Sequence, residues 1–104
     1  MIYRLNVFDI VPGKLAEYDA IVTKEIIPLQ TKFGVKLVGA WHGYTGNVNR
    51  SYSLYAFSDL SELQKISETQ RKDKDYQRVS AKLAALRAGS NMTILEPNAW
   101  SPMK

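Results

Sequence analysis

His42 is the only histidine of the 104-residue sequence, and imidazole is the one side chain whose ordinary pKa lies near neutral pH. Proton transfer in a buried cavity would most naturally use it, so His42 is the candidate catalytic acid or base. The alternative is a histidine that only makes hydrogen bonds within a sheet interface. One histidine and no cysteines do not favour a protein-held zinc or iron site. We also predict no cofactor, since no P-loop or Gly-x-Gly-x-x-Gly pattern is present.

Other polar side chains share a predicted strand face with His42. Because side chains alternate along a strand, one face of the predicted sheet mixes large aromatic and polar residues. Ligand pockets have this composition. We therefore predict that a small, partly aromatic or acidic molecule binds to a set of six residues. These are Arg4, Asn6, His42, Tyr44, Ser53 and Tyr55. The alternative for Ser51 and Ser53 is an ordinary strand serine, because no Ser-His-Asp setting is visible.

The opposite face of the same strands is apolar. It carries Tyr3, Leu5, Val7, Val35, Leu37, Gly39, Trp41, Tyr52, Leu54 and Ala56. We expect this face to meet the helices, and the mixed face to meet the sheet of a second subunit with a cavity between the two sheets. A hairpin turn centred on Asn47 and Val48 would place Trp41 opposite Leu54. A slip of one residue in this register would exchange the two faces.

The elements that position these side chains follow from periodicity and from turn residues. A strand ends before Pro12-Gly13, and a helix begins near Lys14. Pro28 should kink or split this helix near Ile26, because proline removes a backbone donor. Asp59 should cap a further helix. The full predicted order is strand 2–8, helix 14–33, strand 35–44, strand 50–57, a helix pair from 59 to Gly89, and strand 91–96.

This order predicts an α+β fold, namely a ferredoxin-like βαββαβ subunit with an antiparallel four-stranded sheet, in a single domain of residues 1–104. The net charge is +4, but the basic residues are scattered, and Asp73 interrupts the one cluster at 71–74. We therefore expect no nucleic-acid partner. The absence of cysteine fits a cytoplasmic protein. No apolar run approaches the roughly 20 residues needed to cross a membrane, so no membrane partner is expected.

Several short segments, in a fixed order along the chain, resemble those of a known family. They are Ile2–Leu5, Val11–Leu15, Ile27–Leu29, Gly34–Trp41, Thr45–Arg50 and Leu54–Leu60. Each is short, but together they resemble the NIPSNAP family of the dimeric α/β-barrel superfamily over nearly the whole chain. One departure is the third strand, which in the family often reads His-Leu-Trp-Ala-Tyr. This chain has Ser53 at the histidine position, so any function of that histidine is in doubt here.

The resemblance implies a homodimer in which two ferredoxin-like sheets pair, and it implies no single activity. The wider superfamily includes cofactor-free oxygenases and haem-degrading enzymes. An asparagine or arginine in such a cavity, here Asn6 or Arg4, can hold an enolate or a carboxylate. Haem is not expected, because the late helix holds Tyr76 and no histidine. Three hypotheses result: a small-molecule binder, a cofactor-free monooxygenase or isomerase that uses His42, and a structural or interaction module with a filled cavity.

Overall fold

Four antiparallel strands form one sheet in the order β2-β3-β1-β4, and the helices pack on one side of it. The computed structural model describes residues 1–104. The strands are β1 (Ile2–Ile10), β2 (Lys36–His42), β3 (Arg50–Phe57) and β4 (Arg87–Leu95). The helices are α1 (Leu15–Ile21), a π-helical segment (Val22–Ile26), α2 (Ile27–Lys32), α3 (Leu60–Lys72) and α4 (Lys74–Ala84). The predicted ferredoxin-like βαββαβ arrangement is confirmed.

The first helical region changes its winding next to Pro28. The π-helical segment ends at Ile26, and Pro28 lies in the first turn of α2. Proline has no backbone N–H to donate to the preceding turn, so a regular α-helix cannot run through this point. An irregularity occurs near Ile26, but it is a local widening within a helical run that continues from Leu15 to Lys32, and the helix is not split. Gly34, with φ of +76°, turns the chain toward β2.

Side-chain caps begin the two later helices. The Asp59 carboxylate accepts a hydrogen bond of 2.8 Å from the Glu62 amide, as predicted. Glu62 in turn accepts from the backbone N–H of Ser58 at 2.7 Å. Asp73 caps α4 by accepting from the amide of Tyr76 at 2.9 Å. Each cap satisfies an amide that the first helical turn would otherwise leave unpaired.

The predicted end of the last helix at Gly89 is wrong. Helix α4 ends at Ala84, and Gly89 lies within β4 opposite Asp9. A Cβ atom at position 89 would come within 3.3 Å of an Asp9 carboxylate oxygen. Glycine at this position therefore allows β4 to lie close to the Asp9 side chain, and it does not end a helix.

The helices cover the mixed face of the sheet, which was predicted to meet the sheet of a second subunit. The predicted face assignment is therefore wrong. Phe57 and Asn6, on the mixed face, are 1% and 7% exposed, whereas Trp41, on the other face, is 56% exposed. Both faces carry large apolar side chains, so their hydrophobicity alone does not identify the one that the helices cover. The polar residues of the mixed face can lie beneath the helices because they line a cavity there.

A β-bulge shifts the register of the hairpin. Leu37 is opposite Tyr55, but Gly39 is already opposite Leu54, so Val38 is the additional residue. As a result Trp41 lies opposite Tyr52, and the predicted pairing of Trp41 with Leu54 is wrong. The bulge also leaves Leu37 and Trp41 on opposite faces of the sheet.

The hydrophobic core lies between the helices and one end of the sheet. It consists of Ile10, Tyr18, Ile26, Val79 and Leu83, all buried. Val79 and Leu83 lie one turn apart on α4, so the helix presents a continuous apolar stripe to the core. None of the helices combines the length and the apolar character needed to span a membrane.

Candidate functional site

A cavity of about 390 Å³ lies between the sheet and the helices, next to the core. Its floor is the mixed face of the sheet. In the central row of that face, Asn6 pairs with Ser53 and Ser53 with Ala40. All three side chains are small, so they cannot reach the helices that lie above them. A cavity remains there, and it falls within the roughly 300–1,000 Å³ range of small-molecule pockets.

The helices form the opposite wall of the cavity. The π-helical segment contributes Val22 and Ile26, and α2 contributes Gln30. Helix α4 contributes Tyr76 and Ser80. Short π-helical segments are rare and occur often at functional sites. Here the segment that precedes Pro28 forms part of the cavity wall.

Arg4 lies on the sheet side without an acidic partner. Its guanidinium carbon is 5.3 Å from the centre of the Tyr55 ring and 5.4 Å from that of Phe57. Its Nε is buried and has no hydrogen-bond partner. The two rings provide a cation–π environment, but they supply no acceptor for the guanidinium N–H groups.

Arg87 is a second arginine of the lining. Its guanidinium carbon lies 3.7 Å from the centre of the Phe8 ring, and its Nε and Nη2 donate to the Tyr18 hydroxyl at 3.2 and 3.0 Å. A β-bulge between β1 and β4 places Arg87 opposite Ile10, where regular pairing would place Ala88. The bulge thus directs Arg87 to the helix side of the sheet.

Buried amide groups complete the polar part of the lining. The Gln30 Nε2 donates to the Tyr55 hydroxyl at 3.0 Å, which connects α2 to the sheet. The Oε1 of Gln30 and the Oδ1 of Asn6 are buried and have no hydrogen-bond partner. Both residues are 7% exposed. Leaving such groups unpaired costs about 1–3 kcal/mol each, so a bound water or another molecule that paired with them would stabilise this region.

Two tyrosines of the cavity wall have pKa values above the ordinary value for tyrosine. Burial raises the pKa of Tyr18 above its ordinary value, and the hydrogen bond from Arg87 opposes this effect in part. Burial also raises the pKa of Tyr76. At neutral pH both are phenols that can donate a hydrogen bond toward the cavity.

The structure brings together four of the six predicted site residues. Arg4, Asn6, Ser53 and Tyr55 line the cavity. The predicted location of these residues, in a cavity between two sheets, is corrected: the cavity that they line lies between the sheet and the helices of a single chain. The β1–β3 pairing is regular along its length, which explains why the sequence pattern grouped these residues correctly.

His42 and Tyr44 lie outside the lining. His42 is opposite Ser51 and therefore on the same face as Asn6, but it ends the edge strand β2 and is exposed. Tyr44 follows the strand and is 92% exposed. A role for His42 in catalysis and a role for either residue in ligand binding stay predictions. No group of three or more His, Cys, Asp or Glu side chains could hold a metal ion.

The lining also contains residues that were not predicted as site residues, among them Tyr18, Gln30, Tyr76 and Arg87. Tyr18 and Tyr76 lie within predicted helices, and helical periodicity does not distinguish a core residue from a cavity wall. Gln30 follows Leu29 in the first of these helices, and this position could have suggested a buried polar group. No sequence pattern pointed to Arg87, because it lies within the predicted helix pair that ends at Gly89 and no β-bulge was predicted there.

The NIPSNAP family model matches residues 3–102. The fold matches that of a NIPSNAP family protein from Agrobacterium tumefaciens strain C58, with a TM-score of 0.92 and 23% identity over 99% of this chain and 98% of that one. An uncharacterised NIPSNAP domain protein from Burkholderia xenovorans gives a TM-score of 0.90 and 22% identity over 98% and 99% of the two chains.

A more distant match is an antibiotic biosynthesis monooxygenase, with a TM-score of 0.72 and 8% identity over 94% of this chain and 99% of that one. At such low identity, these solved structures show the shared fold alone. No curated protein shows significant sequence similarity to the chain. The chain thus has a ferredoxin-like α+β fold, which the protein described as an antibiotic biosynthesis monooxygenase shares. The family match over 3–102 identifies the chain more closely: it belongs to the NIPSNAP family.

Proposed function

We propose that this chain forms a homodimer in which each subunit binds a small organic molecule in the cavity between its sheet and its helices. The observation that carries this proposal is that three residues lining one cavity each have a buried polar atom without a hydrogen-bond partner: Arg4 Nε, Asn6 Oδ1 and Gln30 Oε1. These atoms come from a strand and a helix that face each other across the cavity. A ligand with donors and acceptors would satisfy them together.

The open face of the sheet supports the homodimer. Trp41 is exposed there, and Leu5, Val7 and Leu54 are only half-buried. A contiguous apolar patch of this kind on a soluble protein marks an interaction surface. A second copy of the same face would cover it, and the mixed face would keep its cavity.

A ligand screen with a cavity-filling variant tests the binding proposal. Thermal unfolding is measured with a library of small aromatic and acidic compounds. A ligand at about a hundred times its dissociation constant adds about 2.7 kcal/mol, which raises the Tm by about 10 °C or more. Ser53→Leu should abolish the increase, because leucine occupies the floor of the cavity. Ser61→Leu, on the exposed surface of α3, is the matched control and should keep it.

Two outcomes would contradict the proposal. One is a library without any binder, which favours a structural or interaction module. The other is a ligand that stabilises Ser53→Leu as well as it stabilises the unaltered protein, because that ligand binds elsewhere.

Cofactor-free monooxygenase or isomerase chemistry is the second candidate function. Neutral Tyr18 and Tyr76 and two arginines supply donors that would stabilise an enolate. If His42 takes part as acid or base, turnover of a bound compound should fall at least about a hundredfold in His42→Ala. Val48→Ala, in the exposed loop that follows β2, provides the control.

A further inference from the structure

We infer that the ligand is a small aromatic or conjugated carboxylic acid, and that its carboxylate binds to Arg4. This inference rests on the proposed function and specifies the chemical class of the ligand. The charges of the cavity lining support it. Arg4 and Arg87 both line it, and neither forms an ion pair with any carboxylate of the chain.

The other arginines for which an ion pair is present lie outside the cavity. Arg50 pairs with Asp9 at 2.6 Å, and Arg78 pairs with Glu25 at 3.3 Å. The only acidic residue of the cavity lining is Asp19, which is exposed on α1. A partly enclosed site with two cations and one exposed carboxylate favours an anion, because a low-dielectric environment strengthens the attraction.

Arg4 is the better of the two arginines for holding a carboxylate. Two nitrogens of Arg87 already donate to the Tyr18 hydroxyl, whereas the buried Nε of Arg4 has no partner. Guanidinium and carboxylate match in shape, and together they form two parallel hydrogen bonds. Arg87 and the phenol of Tyr18 would then add positive potential to the same cavity.

The remaining lining indicates the body of the ligand. Phe8, Tyr55 and Tyr76 offer aromatic surfaces, and Leu37 and Met92 offer aliphatic ones. Flat unsaturated groups pack well against such walls. The unpaired acceptor atom of Asn6 would accept a hydrogen bond from a hydroxyl of the ligand. A hydroxylated aromatic acid combines all three features.

Matched acid and amide probes test the inference. The probes are 2-naphthoic acid and 6-hydroxy-2-naphthoic acid, each with its primary amide, and binding to the full chain is measured by calorimetry at pH 7. The acids should bind about thirtyfold more tightly than the amides, or more, since a buried charge pair of this kind contributes at least that factor. The amides keep the shape and lose the charge.

Arginine variants show which residue causes the preference for acids over amides. Arg4→Met should remove most of the preference for acid over amide, and Arg4→Lys should retain part of it. Arg71→Met is the control, because Arg71 is exposed and its contact with Glu68, at 3.9 Å, is remote from the cavity. Thermal unfolding without ligand shows whether Arg4→Met folds. Its Tm should equal or exceed that of the unaltered protein, because the change removes an unpaired buried N–H group.

The outcomes separate this inference from the proposed function. If acids and amides bind with equal affinity and Ser53→Leu blocks both, the inference is overturned and the binding cavity stands. If the acids are preferred but Arg4→Met keeps the preference, the assignment to Arg4 is overturned. If none of the four probes binds and the library contains no binder, both proposals fail.

Discussion

The two faces of the sheet differ less in their aromatic content than in how their charged groups are paired. On the open face, Arg50 donates to Asp9 at 2.6 Å, next to the apolar residues of β1 and β3. On the helix side, Arg4 and Arg87 lie against aromatic rings and have no acidic partner. An ion pair of this kind, in which the two charges neutralise each other, can be buried against another protein surface. A face that leaves cations unpaired beside a cavity is suited to an anionic ligand.

The largest effect should come from a charge in the open face. Trp41→Asp should raise the dissociation constant of the dimer about a hundredfold or more, because an unpaired buried charge costs about 3–5 kcal/mol. Sedimentation at micromolar concentration should change from about twice 11.8 kDa to a single chain. Tyr44→Asp, in the exposed loop, should remain dimeric. A single-chain mass for the unaltered protein would refute the role assigned to the open face.

A smaller effect on the same face should follow from Gly39→Ala. A Cβ atom at position 39 would lie 2.5 Å from the Cη2 of Trp41, so the indole must move. In a lone chain this movement is easy, but in a dimer it disturbs a packed interface, which costs about 1–3 kcal/mol. We expect the dimer to dissociate about tenfold more readily. In a Trp41→Ala background the glycine change should have no effect, and an equal effect there would exclude this mechanism.

Filling the cavity on the helix side of the sheet should stabilise the protein in the absence of ligand. Ser53→Leu should raise the free energy of unfolding by about 0.5–2 kcal/mol, because leucine fills the void that Asn6, Ser53 and Ala40 leave. Chemical denaturation measures the change. A loss of stability beyond about 2 kcal/mol would mean that this region is already close-packed and that the cavity is not available to a ligand.

The smallest effect concerns alkaline pH. Burial raises the pKa of Tyr18 and Tyr76 in the folded state above the ordinary value of 10.0. Below pH 10 these phenols are neutral in both the folded and the unfolded chain, so stability is not reduced by their ionisation. Above pH 10 the unfolded chain releases their protons first, and the free energy of unfolding falls as the pH rises through the folded-state pKa values. Tyr18→Phe and Tyr76→Phe should each flatten this decline in a series of denaturation curves, whereas Tyr44→Phe should not.

The sequence was sufficient to predict the order of elements and the residues of β1 and β3 that share a face. Arg4, Asn6 and Tyr55 were grouped correctly because β1 and β3 pair without interruption. The pattern did not identify the face that the helices cover, since Trp41 and Tyr52 on one side are as apolar as Phe8 and Phe57 on the other. It also missed both bulges. A bulge depends on how two strands fit together, so the positions of Leu37 and Arg87 could not be derived from alternation along one strand.

The most direct test of the account is a crystal structure of the protein grown with 6-hydroxy-2-naphthoic acid. We predict density for the acid in the cavity of each subunit, with its carboxylate within hydrogen-bonding distance of Arg4 and its ring between the sheet and α4. Asn6 should lie within hydrogen-bonding distance of the hydroxyl group. A cavity closed by the protein's own side chains, or an acid bound only on the open face around Trp41, would show that the cavity is not the binding site of such acids.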